Sequence, residues 1–295
     1  MYFGSAPFSW QLEQGWRFGR VSKLRNANVQ TPKHYCILGT GKLARHLAEK
    51  LLQEGLQPLY LWGRNTEKAA QMAAELGANL CISPKHFPAS TTAILAVSDH
   101  SIAEVAQLFK GKSEMMMHLS GTQSLSLLQD CAAHTAVLWP NQSFTPGNTI
   151  VWKNVPMSLE ASDEFAHQAV LQLANMLEGP IAWLSGAQRK QLHLAAVAAN
   201  NFVNHLMVLA EEWCIANQLD FQFLMPMVEQ SVKRLREVSP SKTQTGPASR
   251  NDQVVIAQHL ALLKDFPEFS EVYALLSKQI SERLSANDHR APSSH

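Results

Sequence analysis

An α/β fold, with a doubly wound parallel sheet in front and an all-helical region behind, is predicted by three features of this sequence. Short apolar runs alternate with helix-period segments from His34 to about Leu184. The first of these alternations is joined by a glycine turn. After about Gly186 the strand-like runs stop and only helical periodicity remains. Strands alternating with helices give a doubly wound sheet with right-handed crossovers.

The opening alternation is YCILGTGKLARHLAEKLL, Tyr35 to Leu52. Tyr35–Leu38 reads as a strand. Gly39, Gly41 and Ala44 follow as G-x-G-x-x-A, and Leu43, Ala44, Leu47, Ala48 and Leu51 recur at helical spacing. A chain bending sharply at Gly39 tolerates no side chain there. Gly41 leaves room for a pyrophosphate to approach the backbone, and Ala44 lets the helix pack closely on the strand. The helix N-terminus adds free N–H groups and a positive dipole end. Strand, glycine turn and helix together read as a Rossmann dinucleotide site, with Gly39, Thr40, Gly41, Lys42, Leu43 and Ala44 around the phosphates. The plain alternative is a tight turn without a cofactor.

The later elements follow in order. Leu59–Trp62 is a strand ending at Gly63-Arg64-Asn65, with Thr66 expected to cap the next helix. A short strand spans 79–82. Thr92–Val97 is the continuous apolar run of a buried parallel strand, ended by Ser98-Asp99, with a helix from about Ser101. Met115–Leu119 ends at Ser120-Gly121-Thr122, and Ala136–Trp139 at Pro140-Asn141. Val155–Leu159, a helix over 162–177 and Ile181–Leu184 complete the first domain. Helices are then expected over 187–217, 220–237, 252–264 and 268–285, with Pro226 breaking the second. The domain division is thus a loose extension over 1–33, a nucleotide-binding domain over 34–185, a helical domain over 186–285 and a mobile tail over 286–295.

Bulk properties narrow the function. The net charge of +1 favours neither nucleic acid nor an acidic membrane surface. No apolar run in the sequence reads as transmembrane. Cys36, Cys81, Cys131 and Cys214 lie far apart in apolar segments and read as reduced core residues of a cytoplasmic protein. Neither they nor the scattered histidines have metal-ligand spacing. Residues 1–33 carry Arg17, Arg20, Lys23 and Arg25, but Pro7 and Gly15 spoil an amphipathic targeting helix.

Four places carry chemistry. The residue closing the second strand reads the adenosine ribose, and an acidic one there favours NAD. Arg64 stands there instead, with Asn65 beside it, so NADP is the expected cofactor; the alternative is a solvated surface charge. The carboxyl ends of the later strands place Ser98-Asp99, Ser120-Gly121-Thr122 and Pro140-Asn141-Gln142 around the nicotinamide, with Val97 and Ser98 expected to touch the cofactor. Asp99 reads equally as a helix cap, and Ser120-Gly121 as turn chemistry. In QLHLAAVAANNFVNHLMVLAEEW, His193, Asn200 and Asn204 fall at i, i+7 and i+11, one face of a regular α-helix. That stripe is either an active-site wall or a network of mutually satisfied polar groups. In TGPASRND, Arg250 either binds a substrate carboxylate or pairs with Asp252, itself a plausible N-cap.

The glycine turn, AVSD at 96–99, HLSGT at 118–122, HLAAVAANNFVNHL at 193–206 and TGPASRND at 245–252 together resemble bacterial Rossmann-like proteins with a C-terminal domain of unknown function 2520. Those proteins are similar to pyrroline-5-carboxylate reductase and to the 6-phosphogluconate and β-hydroxyacid dehydrogenases. The resemblance covers about residues 34–285. It implies an NADP-binding domain, a helical domain like the C-terminal part of 6-phosphogluconate dehydrogenase that forms a homodimer, and hydride transfer. One departure matters. β-Hydroxyacid dehydrogenases carry a catalytic Lys followed four residues later by Asn, whereas Lys190 is followed at that spacing by Leu194. The expectation is therefore an NADP-dependent oxidoreductase acting on a small keto or imino substrate bearing a carboxylate. In it His193 exchanges the proton, Asn200, Asn204 and Ser120 orient or polarise the substrate, and Gly121, Thr122 and Arg250 bind it. The rival is a non-catalytic NADP(H)-binding sensor or scaffold.

Overall fold

The computed structural model describes residues 34–88, 91–145 and 149–288. The expected N-terminal extension lies outside them, as does the tail beyond Asp288. The described residues fall into two compact units, one up to Asn201 and one from Phe202 onward.

The first unit is built on eight strands: β1 (His34–Leu38), β2 (Leu59–Trp62), β3 (Asn79–Leu80), β4 (Thr91–Leu95), β5 (Met115–His118), β6 (His134–Pro140), β7 (Met157–Ala161) and β8 (Ile181–Trp183). They pair in the order β3-β2-β1-β4-β5-β6-β7-β8. With β1 lying between β2 and β4, the order reverses at β1, which opens the ligand crevice outside the carboxyl ends of these strands. Every pairing is parallel except β6 with β7. That exception departs from the uniformly wound sheet expected. Between β6 and β7 the described chain has only a 3₁₀ turn at Trp152–Asn154, with no crossover helix to carry it back to the starting edge. It therefore returns antiparallel.

The strand cores are apolar because both faces are covered. In α1 (Lys42–Gln53), Ala44, Leu47, Ala48 and Leu51 are fully buried, the stripe expected from their spacing. The helices α2 (Thr66–Leu76), α3 (Ile102–Leu108) and α4 (Glu164–Leu177) complete the layers. Asn65, rather than Thr66, caps α2: its Oδ1 accepts the Lys68 N–H at 2.8 Å. The four cysteines are buried and unpaired.

A long helix follows. Its first part is α5 (Gly186–Ala196), held at its start by a capping box between Ser185 and Gln188. Val197–Phe202 is π-helical, and α6 (Val203–Ala216) continues beyond it. By length and composition alone Gly186–Ala216 could cross a bilayer, although the sequence suggested no such run. Lys190, His193, Asn200, Asn201 and Asn204 interrupt it. In the second unit α7 (Met225–Arg234) has Pro226 in its first turn, so this proline starts the helix rather than breaking it. Asp252 caps α8 (Gln253–Leu262) by accepting the Val255 N–H at 3.1 Å. The last helix, α9 (Pro267–Asp288), runs past Ala286, where the tail was expected to begin.

Candidate active site

The glycine turn sits at the β1–α1 junction with its expected constraints. Gly39 has φ +137°, and a β-carbon there would overlap the Ala96 carbonyl. Its N–H donates to the Trp62 carbonyl at 2.7 Å, tying the turn to the end of β2. Only glycine meets both demands. Above Gly41 there is open space, and no side chain caps α1. The first N–H groups of that helix, near Thr40, Lys42 and Leu43, therefore face outward, and Ala44 is fully buried behind them. This cradle fits a pyrophosphate. When bound there, the dinucleotide supplies the hydride.

Arg64 lies beyond β2 beside Asn65. Its Nη2 donates to Ser101 Oγ at 2.9 Å, and its Nη1 lies 3.4 Å from Glu104 Oε2. It is thus neither a free solvated charge nor paired with its own loop. It reaches the segment after β4, where Ser98 Oγ lies 3.1 Å from Ser101 Oγ. Val97 supports the turn from below, 3.4 Å from the β-carbon position of Gly39.

After β5 the chain makes a turn secured from within. Ser120 Oγ accepts the N–H groups of Thr122 and Gln123, each at 3.1 Å. The serine thus already occupies these two N–H groups. Thr122 donates its hydroxyl to Asp99 Oδ2, so Asp99 is tied to the neighbouring loop instead of capping a helix. Beneath the turn, His118 Nδ1 accepts the Ser120 N–H at 3.2 Å. This fixes the proton of the neutral ring on Nε2. Burial, with the nearby Arg189 charge, pushes the His118 pKa down to about 4.

The long helix meets this turn at Gly121. A β-carbon on Gly121 would lie 2.9 Å from His193 Cδ2 and 2.6 Å from Trp139 Cε2. His193 and Trp139 rings are 5.7 Å apart at 46°. Arg189, one turn earlier, is fully buried; it pairs with Glu160 on β7 and donates to the Gln123 carbonyl at 2.6 Å. The base of the helix is thereby bolted to both the sheet and the turn. Asn200 Nδ2 donates to Ser143 Oγ at 2.9 Å, reaching the loop after β6.

The expected stripe of three does not survive as drawn. The spacing argument assumed about 100° per residue throughout, but the π segment bonds i to i+5 and takes an extra residue per turn. Everything beyond it is rotated by about one residue's advance, roughly 100°. Asn204 falls in the second unit and is exposed. Arg250 is in that unit as well, exposed and without an ion pair among the described residues; the pairing with Asp252 does not form. Sequence reasoning passed over Trp139, Ser143, His118 and the Arg189–Glu160 pair. Only the strand end at Pro140-Asn141 hinted at the first two.

Comparisons with known proteins place the chain. Residues 155–280 match the family model "Domain of unknown function (DUF2520)", and residues 34–118 match "NADP oxidoreductase coenzyme F420-dependent". A comparison with curated protein sequences gives no match. Among solved structures, a Bacteroides fragilis protein described as a candidate NADP oxidoreductase is 30% identical, with 84% of this chain and 98% of that one covered and a TM-score of 0.78. A reductive aminase from Aspergillus terreus, in complex with NADPH and ethyl levulinate, is similar at 17% identity (86% and 94% covered, TM-score 0.64). A 1-pyrroline-5-carboxylate reductase from Streptococcus pyogenes is similar at 15% (84% and 98% covered, TM-score 0.54). At these two identities the likeness is one of fold. The glycine cradle, the arginine after β2 and the match across nearly the whole Bacteroides protein agree: this chain belongs to the family of Rossmann-type NADP oxidoreductases that carry the C-terminal domain of unknown function 2520.

Proposed function

We propose that the protein is an NADP-dependent reductase or dehydrogenase that passes a hydride between NADPH and a small keto or imino substrate. The observation that carries this reading is the approach of His193 to Gly121, at the carboxyl end of β5 where open α/β sheets bind ligands. An imidazole there can donate or accept a proton through either ring nitrogen. Trp139 limits its movement, and the secured Ser120–Thr122 turn gives the substrate a fixed wall. Asn200, held by Ser143, would orient the substrate. Arg250 is available to take a carboxylate, and Asn204 is a further orienting candidate. Arg64, steadied by Ser101, would take the 2′-phosphate, with Asn65, Val97 and Ser98 completing the cofactor wall. The compounds named with the similar structures, ethyl levulinate bound to the reductive aminase and the 1-pyrroline-5-carboxylate of the reductase's name, support this class.

The domain division proposed is nucleotide binding over 34–185 and a helical substrate and dimerisation domain from 186. The helical unit exposes Phe223 (85%), Ile215 (69%) and Val254 (69%). So much apolar surface supports a homodimer; the cytoplasm is the location proposed, on the four free, buried cysteines. The rival reading, an NADP(H)-binding sensor without turnover, shares every cofactor contact. Single-turnover oxidation of bound NADPH by keto and imino acids separates the two: the reductase consumes the cofactor and the sensor does not.

A further inference from the structure

The hydrogen bonds of the turn after β5 have one direction. Thr122 Oγ1 donates to Asp99 Oδ2, and an ionised carboxylate only accepts. The threonine proton is therefore committed. Ser120 Oγ, 3.4 Å from Thr122 Oγ1, must then be the donor in that pair. Its own lone pairs are taken by the N–H groups of Thr122 and Gln123. The Ser120 N–H is taken by His118. Protons thus run from Ser120 to Thr122 to Asp99; the N–H groups of Ser120, Thr122 and Gln123 are taken, and that of Gly121 is the donor the turn keeps. The turn offers a ligand an acceptor, Thr122 Oγ1, backed by a negative charge. Arg189 does reach the same turn, but Glu160 and the Gln123 carbonyl occupy its two terminal nitrogens, and its Nε is buried without a partner among the described residues.

The geometry points to Thr122, with Asp99 behind it, as the site that recognises a protonated nitrogen on the substrate: an iminium before reduction, or an ammonium product. This rests on the reductase reading above and selects the imino over the keto class. A carbonyl oxygen or a carboxylate brings only lone pairs and would meet Thr122 Oγ1 acceptor to acceptor. An N⁺–H donates into it and gains the Asp99 charge through the hydroxyl. Thr122 would touch the substrate, whereas Asp99 acts through it as a positioning residue. His193 approaches the same glycine, Gly121, so the nitrogen and the proton-exchanging imidazole would share one short stretch of backbone.

The test is calorimetric titration of the full-length protein, saturated with NADP⁺, with two ring compounds of similar size: pyrrolidine, cationic at neutral pH, and cyclopentanecarboxylate. The wild type is expected to bind pyrrolidinium at least about tenfold more tightly. Asp99→Asn and Thr122→Val should each abolish that preference, while Asp99→Glu restores part of it. NADP⁺ affinity, titrated on the same samples, should stay within about twofold. Single-turnover oxidation of bound NADPH by keto and imino acids, on the same samples, reports on the reductase reading separately. Tighter binding of the carboxylate, no binding of pyrrolidinium, or an unchanged preference in both variants would overturn the assignment. Loss of NADP⁺ affinity in Asp99→Asn would overturn it too, because the pair would then be holding the cofactor's carboxamide.

Discussion

Trp139 and His193 both press on Gly121: a β-carbon built there would lie 2.6 Å from Trp139 Cε2 and 2.9 Å from His193 Cδ2. Two aromatic rings leave little to yield, so Gly121→Ala must displace one of them. Overpacking of this kind costs roughly 1–3 kcal/mol. Urea denaturation should show a loss in that range, and turnover should fall by more than stability explains, because His193 is moved. An alanine variant with full stability and full activity would show that the rings move aside freely.

On the proposed reading, Arg64 takes the 2′-phosphate of the cofactor. Removing a charge-assisted contact costs about 1.5–3 kcal/mol. Arg64→Ala should therefore weaken NADPH binding by roughly ten- to a hundredfold and leave NADH nearly unchanged. Fluorescence titration of both cofactors checks this. Equal affinities in the wild type would remove the role.

Glu104 competes for the same guanidinium at 3.4 Å. Both side chains are largely exposed, so the pair itself adds little stability. Glu104→Gln should bind NADPH somewhat more tightly and leave the unfolding midpoint unchanged. Weaker binding in the variant would mean that Glu104 steadies Arg64 for the phosphate.

The Arg189–Glu160 pair is an anchor rather than a reactive group. Arg189→Met leaves Glu160 without its partner and the Gln123 carbonyl without its donor, at a cost of roughly 3 kcal/mol. Adding Glu160→Met should recover part of that loss, because two packed apolar side chains need no solvation. Chemical denaturation of the single and double variants decides it. A single variant as stable as the wild type would show that the pair holds nothing.

His118 makes stability depend on pH. Its pKa in the fold is about 4, below the ordinary 6.5, so between those values the unfolded chain binds the extra proton. Stability is full above about 6.5 and falls as pH drops toward 4, by up to roughly 3 kcal/mol. The lowered Asp163 carboxyl acts in the same direction at more acid pH. Unfolding free energies at pH 7 and pH 5 should differ in the wild type and converge in His118→Gln. An unchanged slope in that variant would place the dependence elsewhere.

The sheet and its glycine turn were legible because their causes are local. G-x-G-x-x-A, the apolar runs and Arg64 each act within a few residues of where they are written. The site was legible only in part. His193 lies where its helix and the strand ends implied, since α5 is regular up to Ala196. Asn204 could not be placed by the same arithmetic, because nothing in VAANNF announces a π turn. The direction of the Ser120–Thr122–Asp99 bonds was illegible for another reason. It joins loops 23 residues apart in sequence, and a hydroxyl's role as donor or acceptor follows from its neighbours in space.

The central claim is that His193 exchanges a proton in an NADPH-dependent reduction. Rapid-mixing measurement of bound NADPH oxidation, in wild type and His193→Ala with a panel of keto and imino substrates, tests it most directly. The account predicts oxidation by at least one imino substrate in the wild type. It also predicts a rate lowered by about 10²–10⁴-fold in the variant, with NADPH affinity nearly unchanged. A His193→Ala protein that oxidises NADPH as fast as the wild type, or a wild type that leaves the cofactor reduced with every substrate, would contradict it.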